Sequence, residues 1–465
     1  MAEAVVVKKD WRSAIAAYLT PRMLVILAMG FASGLPLLLT LSTLTYWLSK
    51  VGVDKTTIGL FALVGTPYTF KFLWSPIMDH APVPILTRLL GRRRSWLLVT
   101  QALLAVAIFA MGLTDPAIDP LRTAFAALAV AFLSASQDIV IDAYRIDILP
   151  EDEQGHGAAA TQIGYRIGLL LAGAGALAMS DYVAWPTVFA VLAGAMVVAM
   201  IVTLLAPEPK APPRNTNRSY LEWVKEAFLD PFIDFMKHPG WIVILAFVLF
   251  YKFGDALGGF MANPFYVEMG FTGIEIGSIS KVWGFWMSGL GAVIGGLAVF
   301  RWGVFQALLI GGVLQAVTNL TFSYVAIVNG DYGACAQAAL AADAKAVVSE
   351  ICAMHRHDLT SLAIAITADN VAGGAAGAAL VAYLSGLCNV AYTATQYALL
   401  TSFMALGRTW LSSGSGWLAD HMDWVSFWAV TMVLAIPGLA LLMVMMRYYP
   451  LRPAMRSAEQ VVVRR

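Results

Sequence analysis

The stretch Gly52-Val-Asp-Lys-Thr-Thr-Ile58-Gly59 returns as Gly270-Phe-Thr-Gly-Ile-Glu-Ile276-Gly277, and each of the three shared residues is displaced by 218 positions. Both copies follow an aromatic helix end, Tyr46-Trp47 in one and Phe265-Tyr266 in the other. A weaker echo links Ala176-Leu-Ala…Trp185 with Trp417-Leu-Ala…Trp424. Around these turns the chain reads as twelve apolar runs, each near the ~20 residues that cross a bilayer. They fall at 24–48, 57–78, 95–113, 122–148, 158–180, 186–206, 241–267, 275–300, 304–328, 359–385, 388–411 and 425–447. Six spans, a polar linker and six similar spans in the same orientation imply two parallel repeats about an axis along the membrane normal.

The solvent follows from composition. The 465 residues are 59% hydrophobic and 13% charged, more apolar surface than a soluble protein can hide. Net charge is +1, and its distribution is what carries information. With the N-terminus in the cytoplasm, 19 Lys and Arg fall on the cytoplasmic side and 5 on the other. That bias sets the orientation, with both termini cytoplasmic. The short basic clusters sit at helix ends, where anionic lipid headgroups account for them, and nothing points to nucleic acid.

The expected domains are a six-helix bundle at 1–206, a cytoplasmic linker at 207–240 and a second bundle at 241–465. Tyr220 to Lys237 alternates Trp223, Phe228, Phe232 and Phe235 with charges and reads as an amphipathic surface helix. An outer loop is expected at 329–358. It holds Cys335 and Cys352, and a disulfide is expected between them because that side can be oxidising. A straight helix would hold the pair ~25 Å apart, so a bridge requires the segment to turn back or to break near Asp343. No metal-ligand spacing appears, no cofactor is expected, and the protein is expected to be a monomer.

Six cations lie inside the spans: Lys71, Arg145, Arg166, Lys252, Lys281 and Arg408. Buried charge in a membrane is costly, so it marks a pathway by default. Spans three, six, nine and twelve carry no ionisable residue well inside, which makes them the lipid-facing set. The richest segment is Ser136-Gln-Asp138-Ile-Val-Ile-Asp142-Ala-Tyr-Arg145-Ile-Asp147. Asp138, Asp142 and Arg145 share one helical face, and Asp147 points nearly opposite. Two carboxylates one turn apart resist ionising together, so a shared proton would make a coupling site. The plainer reading is a charged network that locks the helix ends, in which Arg145 keeps Asp142 ionised. Lys252 and Asp255 are either a self-neutralising pair three residues apart or a place where a substrate anion competes for the lysine while Asp255 takes a proton. Asp369 has no cation nearby in sequence and is a second candidate proton carrier. Lys71 with Tyr68 and Trp74, Arg166 with Tyr165, and Lys281 with Trp283 and Trp286 suit a ligand that combines carboxylates and sugar rings. Cation–π packing between helices is the alternative. Gln396, Asn389, Gln315 and Asn319 fit interhelical hydrogen bonding, and Gly289, Gly291, Gly295, Gly296, Gly373, Gly374 and Gly377 permit close helix approach.

Longer motifs carry a resemblance. The chain reads Gly30-Phe-Ala-Ser-Gly34-Leu-Pro36-Leu, Ile58-Gly59-Leu-Phe-Ala-Leu-Val-Gly65, Phe70-Lys71-Phe-Leu-Trp74-Ser-Pro76-Ile-Met-Asp79 and Gly91-Arg-Arg-Arg94-Ser-Trp-Leu-Leu. Further on come Gly164-Tyr165-Arg166-Ile-Gly168, Ala394-Thr-Gln396-Tyr-Ala-Leu-Leu and Gly407-Arg408. Together these resemble the AmpG-type muropeptide permeases of the major facilitator superfamily, from about Met23 to Arg447. Asp79 with Arg92, Arg93 and Arg94 is similar to a stretched form of the facilitator loop motif, and with Arg145 it implies a gating role. The resemblance implies an all-α integral membrane fold in the bacterial inner membrane. It also implies proton-driven import of anhydromuropeptides (GlcNAc-anhydroMurNAc with or without a stem peptide) for peptidoglycan recycling, and in some bacteria a signal for β-lactamase induction.

The residues would then divide into proton carriers (Asp138, Asp142, Asp255 and Asp369) and substrate contacts (Lys71, Tyr68, Trp74, Tyr165, Arg166, Lys252, Lys281 and Gln396). Two rivals remain: a symporter for another bulky anion of the acyl-CoA kind, and a polytopic membrane transferase. The transferase needs a catalytic cluster at an interface. No nucleophile elbow or phosphate loop stands in a usable context, and of the six histidines only His355 and His357 are close together.

Overall fold

The computed structural model describes residues 20–149, 154–209, 230–341, 357–387 and 393–449, together with residues 225, 352 and 354. Every regular element among them is helical. Among the described residues, ten helices are long and apolar enough to cross a membrane. The expected second span is Lys55–His80, broken into short helical pieces, and the eleventh is Thr393–Leu411. Most of the expected linker helix, the N-terminal cations, Cys388 and Asn389 lie outside the described residues; Asp230–Met236 is helical.

Contacts divide the chain into two units. The first is Met1–Thr43 with Phe70–Arg214, and the second is Leu44–Thr69 with Asn215–Arg465. Span one is Pro21–Thr40 followed by Ser42–Lys50; in the first unit Pro21–Thr40 packs on span five (Gln154–Ser180). A Cβ on Gly34 would lie 2.0 Å from the Tyr165 carbonyl oxygen, and one on Gly164 1.9 Å from that of Leu27. Spans three (Arg92–Gly112), four (Pro120–Ile148) and six (Trp185–Leu205) complete that unit.

In the second unit, span eight (Gly273–Trp302) meets span ten (Leu359–Leu387) through Gly291, Gly295 and Gly374. Span seven is discontinuous: Trp241–Phe250 stops and Phe253–Glu268 restarts, leaving Tyr251 and Lys252 between. Span twelve has a milder break between Trp424–Val433 and Ile436–Tyr448. Exposed apolar side chains run along spans three (Leu103, Val106, Phe109), six (Val197, Val198, Ile201), nine (Val313, Leu314, Val317) and twelve (Val433, Ile436, Met443). Spans four and eight also expose such rows, at Phe125 and Phe132 and at Trp286, Val293 and Leu297.

The repeated turn has a backbone cause. Gly52 and Gly270 both adopt positive φ, +80° and +83°, a conformation only glycine takes without strain. Thr45 and Asn263 are themselves 218 residues apart, and the Asn263 amide donates to Thr45 Oγ1 at 3.4 Å. Residues equivalent under a two-fold touch each other only near its axis, so this contact marks where spans one and seven meet.

Span nine corrects the expected outer loop. It runs Val304–Ala341 without a break, past the expected end near Val328. A loop starting at Asn329-Gly330-Asp331 would lie at the surface. Instead Asn329 is fully buried; its amide donates to Ser361 Oγ (3.0 Å) and its Oδ1 accepts from Asp358 N (2.7 Å). The amide also donates to the Val325 carbonyl one turn back (3.1 Å), a bond a continuing helix accommodates, so the side chain does not end the helix. Gly333 lets this extension press on the carbonyl of Glu268.

Cys335, on this helix, and Cys352 are disulfide-bonded, with Cα atoms 5.9 Å apart. Asp343 lies outside the described residues. Converting both cysteines to serine is expected to lower thermal stability by about 3 kcal/mol, the entropy of closing a loop of this length. Transport should stay largely intact. Mass spectrometry of protein alkylated without reduction checks the bridge: alkylated Cys335 and Cys352 would rule it out.

Candidate functional site

The break in span seven borders a cavity. At Lys252 the backbone leaves the helical path (φ −106°, ψ 14°), which a membrane tolerates where the chain lines a polar cavity. Lys252 Nζ donates to Gln315 Oε1 at 2.5 Å, to the Gly373 carbonyl at 3.4 Å and to Asp255 Oδ2 at 3.5 Å. The lysine therefore ties spans seven, nine and ten together, and the pair with Asp255 is not self-contained. It faces a cavity of about 530 Å³, whose polar lining is Lys252, Asp255, Gln315, Thr401 and Arg408. Leu249, Phe253, Leu380, Leu384 and Met404 supply apolar walls. This is the size and lining of a small-molecule site: mostly apolar, with a few convergent polar groups. Two of those groups are cations.

Behind Asp255, Gln315 and Gly373 lies a second pocket of about 140 Å³. Asp369, Asn370, Ser288, Asn319, Tyr266 and Trp428 complete its polar wall. Asp255 and Asp369, far apart in sequence, thus share one enclosure.

In the first unit Asp138 and Asp142 take different partners, though the charge of Asp142 still reaches Asp138. Asp138 accepts from Ser33 Oγ at 2.6 Å, across to span one, and the charge of Lys71 is felt there. Asp142 turns instead to Arg145 at 3.8 Å, with its side chain 57% exposed. Trp74 spends its indole N–H on Ser136 Oγ (3.0 Å) and packs on Phe132, a helix-to-helix role. Lys71 begins a short tight turn after a break at Phe70. Tyr68, Tyr165 and Arg166 are half-buried.

The expected gate is organised by a residue the sequence did not single out. Glu208 Oε1 accepts from Arg93 N (2.9 Å) and Oε2 from Arg94 N (3.0 Å), so it caps the start of span three. A carboxylate there meets both unpaired N–H groups and the positive end of the helix dipole. Arg93, 8% exposed, binds Asp147 at 2.8 Å. Arg94 and Tyr144 hold the end of span six through the carbonyls of Thr203, Leu204 and Pro207. Arg92 is half-buried, and the Asp79 side chain lies outside the described residues.

Lys281 does not line the cavity. It lies in a π-helical stretch, Gly277–Trp283, and donates to Asn263 Oδ1 at 3.3 Å. Trp283 donates to Thr367. At the end bearing Gly52 and Gly270, the second unit is laced by Lys55–Glu268 (3.2 Å), Trp424 Nε1 to Glu268 (2.7 Å) and Thr56 N to Asp420 (2.7 Å). There Gly59 and Gly416 pack backbone to backbone. The Gln396 side chain lies outside the described residues. Arg408 appeared in sequence only as an intramembrane cation; its place in the Gly407-Arg408 motif was the available signal.

Comparison with known proteins agrees with this geometry. The family profile of the Major Facilitator Superfamily matches residues 22–342. The anhydromuropeptide permease of Escherichia coli is 38% identical over 427 residues, which cover 91% of this chain and 79% of that protein. The putative transporter AmpG 4 of Rickettsia conorii is 34% identical, covering 91% and 96%. Among solved structures, the nucleoside transporter NupG superposes with a TM-score of 0.61 at 13% identity, covering 92% of this chain and 100% of that one. A D-xylose–proton symporter gives 0.60 at 13% identity, covering 94% and 98%; at such identities the likeness shows the fold. The chain belongs to the Major Facilitator Superfamily and, within it, to the AmpG-type permeases. It is a multi-pass membrane transporter and not an enzyme.

Proposed function

We propose that the chain imports anhydromuropeptides across the bacterial inner membrane in symport with protons, for peptidoglycan recycling. The observation that carries this is the cavity lined by Lys252 and Arg408, in a chain 38% identical to a protein named for that substrate. A muropeptide offers carboxylates to the two cations and sugar rings to the apolar walls around Phe253. Both termini are cytoplasmic, as the charge bias requires. The halves 1–206 and 241–465 move about the linker, and the contacts of Lys55, Thr56 and Gly59 form the outer seal that must open for entry. In some bacteria the same flux supplies the signal for β-lactamase induction.

Uptake of labelled GlcNAc-anhydroMurNAc-tripeptide into proteoliposomes tests the reading. An imposed inward proton gradient is expected to drive accumulation that collapses with an ionophore. Lys252→Gln or Arg408→Gln should raise KM for the acidic tripeptide form about 10- to 100-fold, the loss of one charge-assisted hydrogen bond. The effect on the sugar-only form should be smaller. Gradient-independent uptake would remove the symport assignment, and equal losses for both ligands would remove the carboxylate-binding role.

A further inference from the structure

The small pocket behind Lys252 has a composition that substrate binding does not need. Asp255 comes from span seven and Asp369 from span ten. Lys252 is the cation whose charge reaches both. Formally, two carboxylates and one ammonium leave one excess negative charge in a site of low dielectric, which is costly. The other titratable group on the wall is the Tyr266 phenol, which senses Asp369. Spans eight, nine and twelve contribute the neutral groups Ser288, Gln315, Asn319 and Trp428. Arg408, on span eleven, faces the larger cavity.

Two of those neutral groups point to what the pocket holds. Asn319 and Trp428 are each 2% exposed, and Asn319 Nδ2 and Trp428 Nε1 have no hydrogen-bond partner among the described residues. Buried donors without partners are costly unless something accepts from them. N–H donors repel a metal cation and suit a carboxylate whose charge comes and goes. Asp255, Gln315 and Gly373 wall both cavities, and Lys252 binds all three.

We propose that this pocket is the coupling site: it holds one transported proton shared between Asp255 and Asp369, and Lys252 reports substrate to it. The inference rests on the symport reading above. A substrate carboxylate in the large cavity draws the Lys252 ammonium towards itself and away from Asp255. The acid pair then carries its negative charge less compensated and takes up a proton. By linkage the protonated pocket binds the acidic substrate more tightly, by the same factor, about 5- to 150-fold for couplings of this kind. Substrate and proton therefore load together. When the proton leaves towards the cytoplasm, Lys252 returns to Asp255 and the substrate is released.

The test is proton uptake on binding, read with a pH indicator in weakly buffered detergent solution of the full chain. On adding GlcNAc-anhydroMurNAc-tripeptide, the wild type is expected to take up about one proton per substrate bound. Asp369→Asn, Asp255→Asn and Lys252→Gln should each abolish that uptake, and Asp369→Glu should restore it. The three losses with one rescue separate a titrating role from a packing role. Proton uptake that persists in both Asn variants overturns the proposal, as does uptake lost only in Asp138→Asn. Binding strengthened by sodium ions with no proton taken up overturns it too. The two readings fail differently: a wild type that accumulates no muropeptide removes the symport reading. A wild type that accumulates it, while both Asn variants still take up the proton, removes only the pocket.

Discussion

Arg93→Leu is expected to lower the unfolding free energy by about 3–5 kcal/mol, because it strands a buried carboxylate. The Arg93 and Asp147 side chains are 9% and 15% exposed and meet at 2.8 Å. Neither can recover full hydration when its partner is removed. The double variant Arg93→Leu/Asp147→Leu should recover much of the loss, since no charge is then left unpaired. Glu208→Ala should cost less, about 0.5–2 kcal/mol, the usual value of a helix cap. Thermal unfolding in detergent measures all three. A double variant that loses as much as the two singles added together would mean that Arg93 and Asp147 are not coupled.

The repeat, the spans and the intramembrane charges were legible because they depend on local pattern. Gly52 and Gly270 stand at equivalent turns since each needs positive φ, and that need is visible as a glycine in sequence. What could not be read depends on partners far along the chain. No proline marks the break at Lys252. The ammonium is held by Gln315 and the Gly373 carbonyl, 63 and 121 residues away, and those contacts fix the break. Asp138 and Asp142 share a helical face at the resolution of a helical wheel. Ser33, 105 residues off, takes one, and the other, exposed, turns to Arg145. Glu208 follows the sixth apolar run in a Pro-Glu-Pro setting that reads as linker. Only the fold brings it to the start of span three. The glycines show the limit most directly. Gly289, Gly291, Gly295 and Gly296 look alike in sequence, yet a Cβ on Gly291 or Gly295 would meet the span-ten backbone at 2.2 or 2.4 Å. Gly289 and Gly296 have open space. Periodicity groups Gly291 with Gly295, but it does not say which face meets a neighbour.

The same distinction predicts which glycines the transporter cannot lose. On spans one and five, Gly30, Gly34, Gly164 and Gly168 bring two helix backbones into direct contact. Added Cβ atoms would lie 2.2, 2.0, 1.9 and 2.5 Å from carbonyl oxygens of Thr161, Tyr165, Leu27 and Phe31. These are backbone atoms, so no side-chain rotation relieves the overlap. The helices must separate along the contact, and close packing is what holds helices together where lipid is as apolar as the interface. Gly34→Ala and Gly164→Ala are each expected to cost about 3 kcal/mol, the upper end for overpacking. The matching changes at Gly194, Gly289 and Gly296, where nothing lies within 4 Å, should be neutral or stabilising by up to about 1 kcal/mol, the helix preference of alanine over glycine. Thermal unfolding of the five variants in one detergent checks the contrast. If Gly34→Ala and Gly164→Ala melt with Gly289→Ala, spans one and five do not meet through their backbones. If all five fall together, the loss reflects glycine itself and not its neighbours.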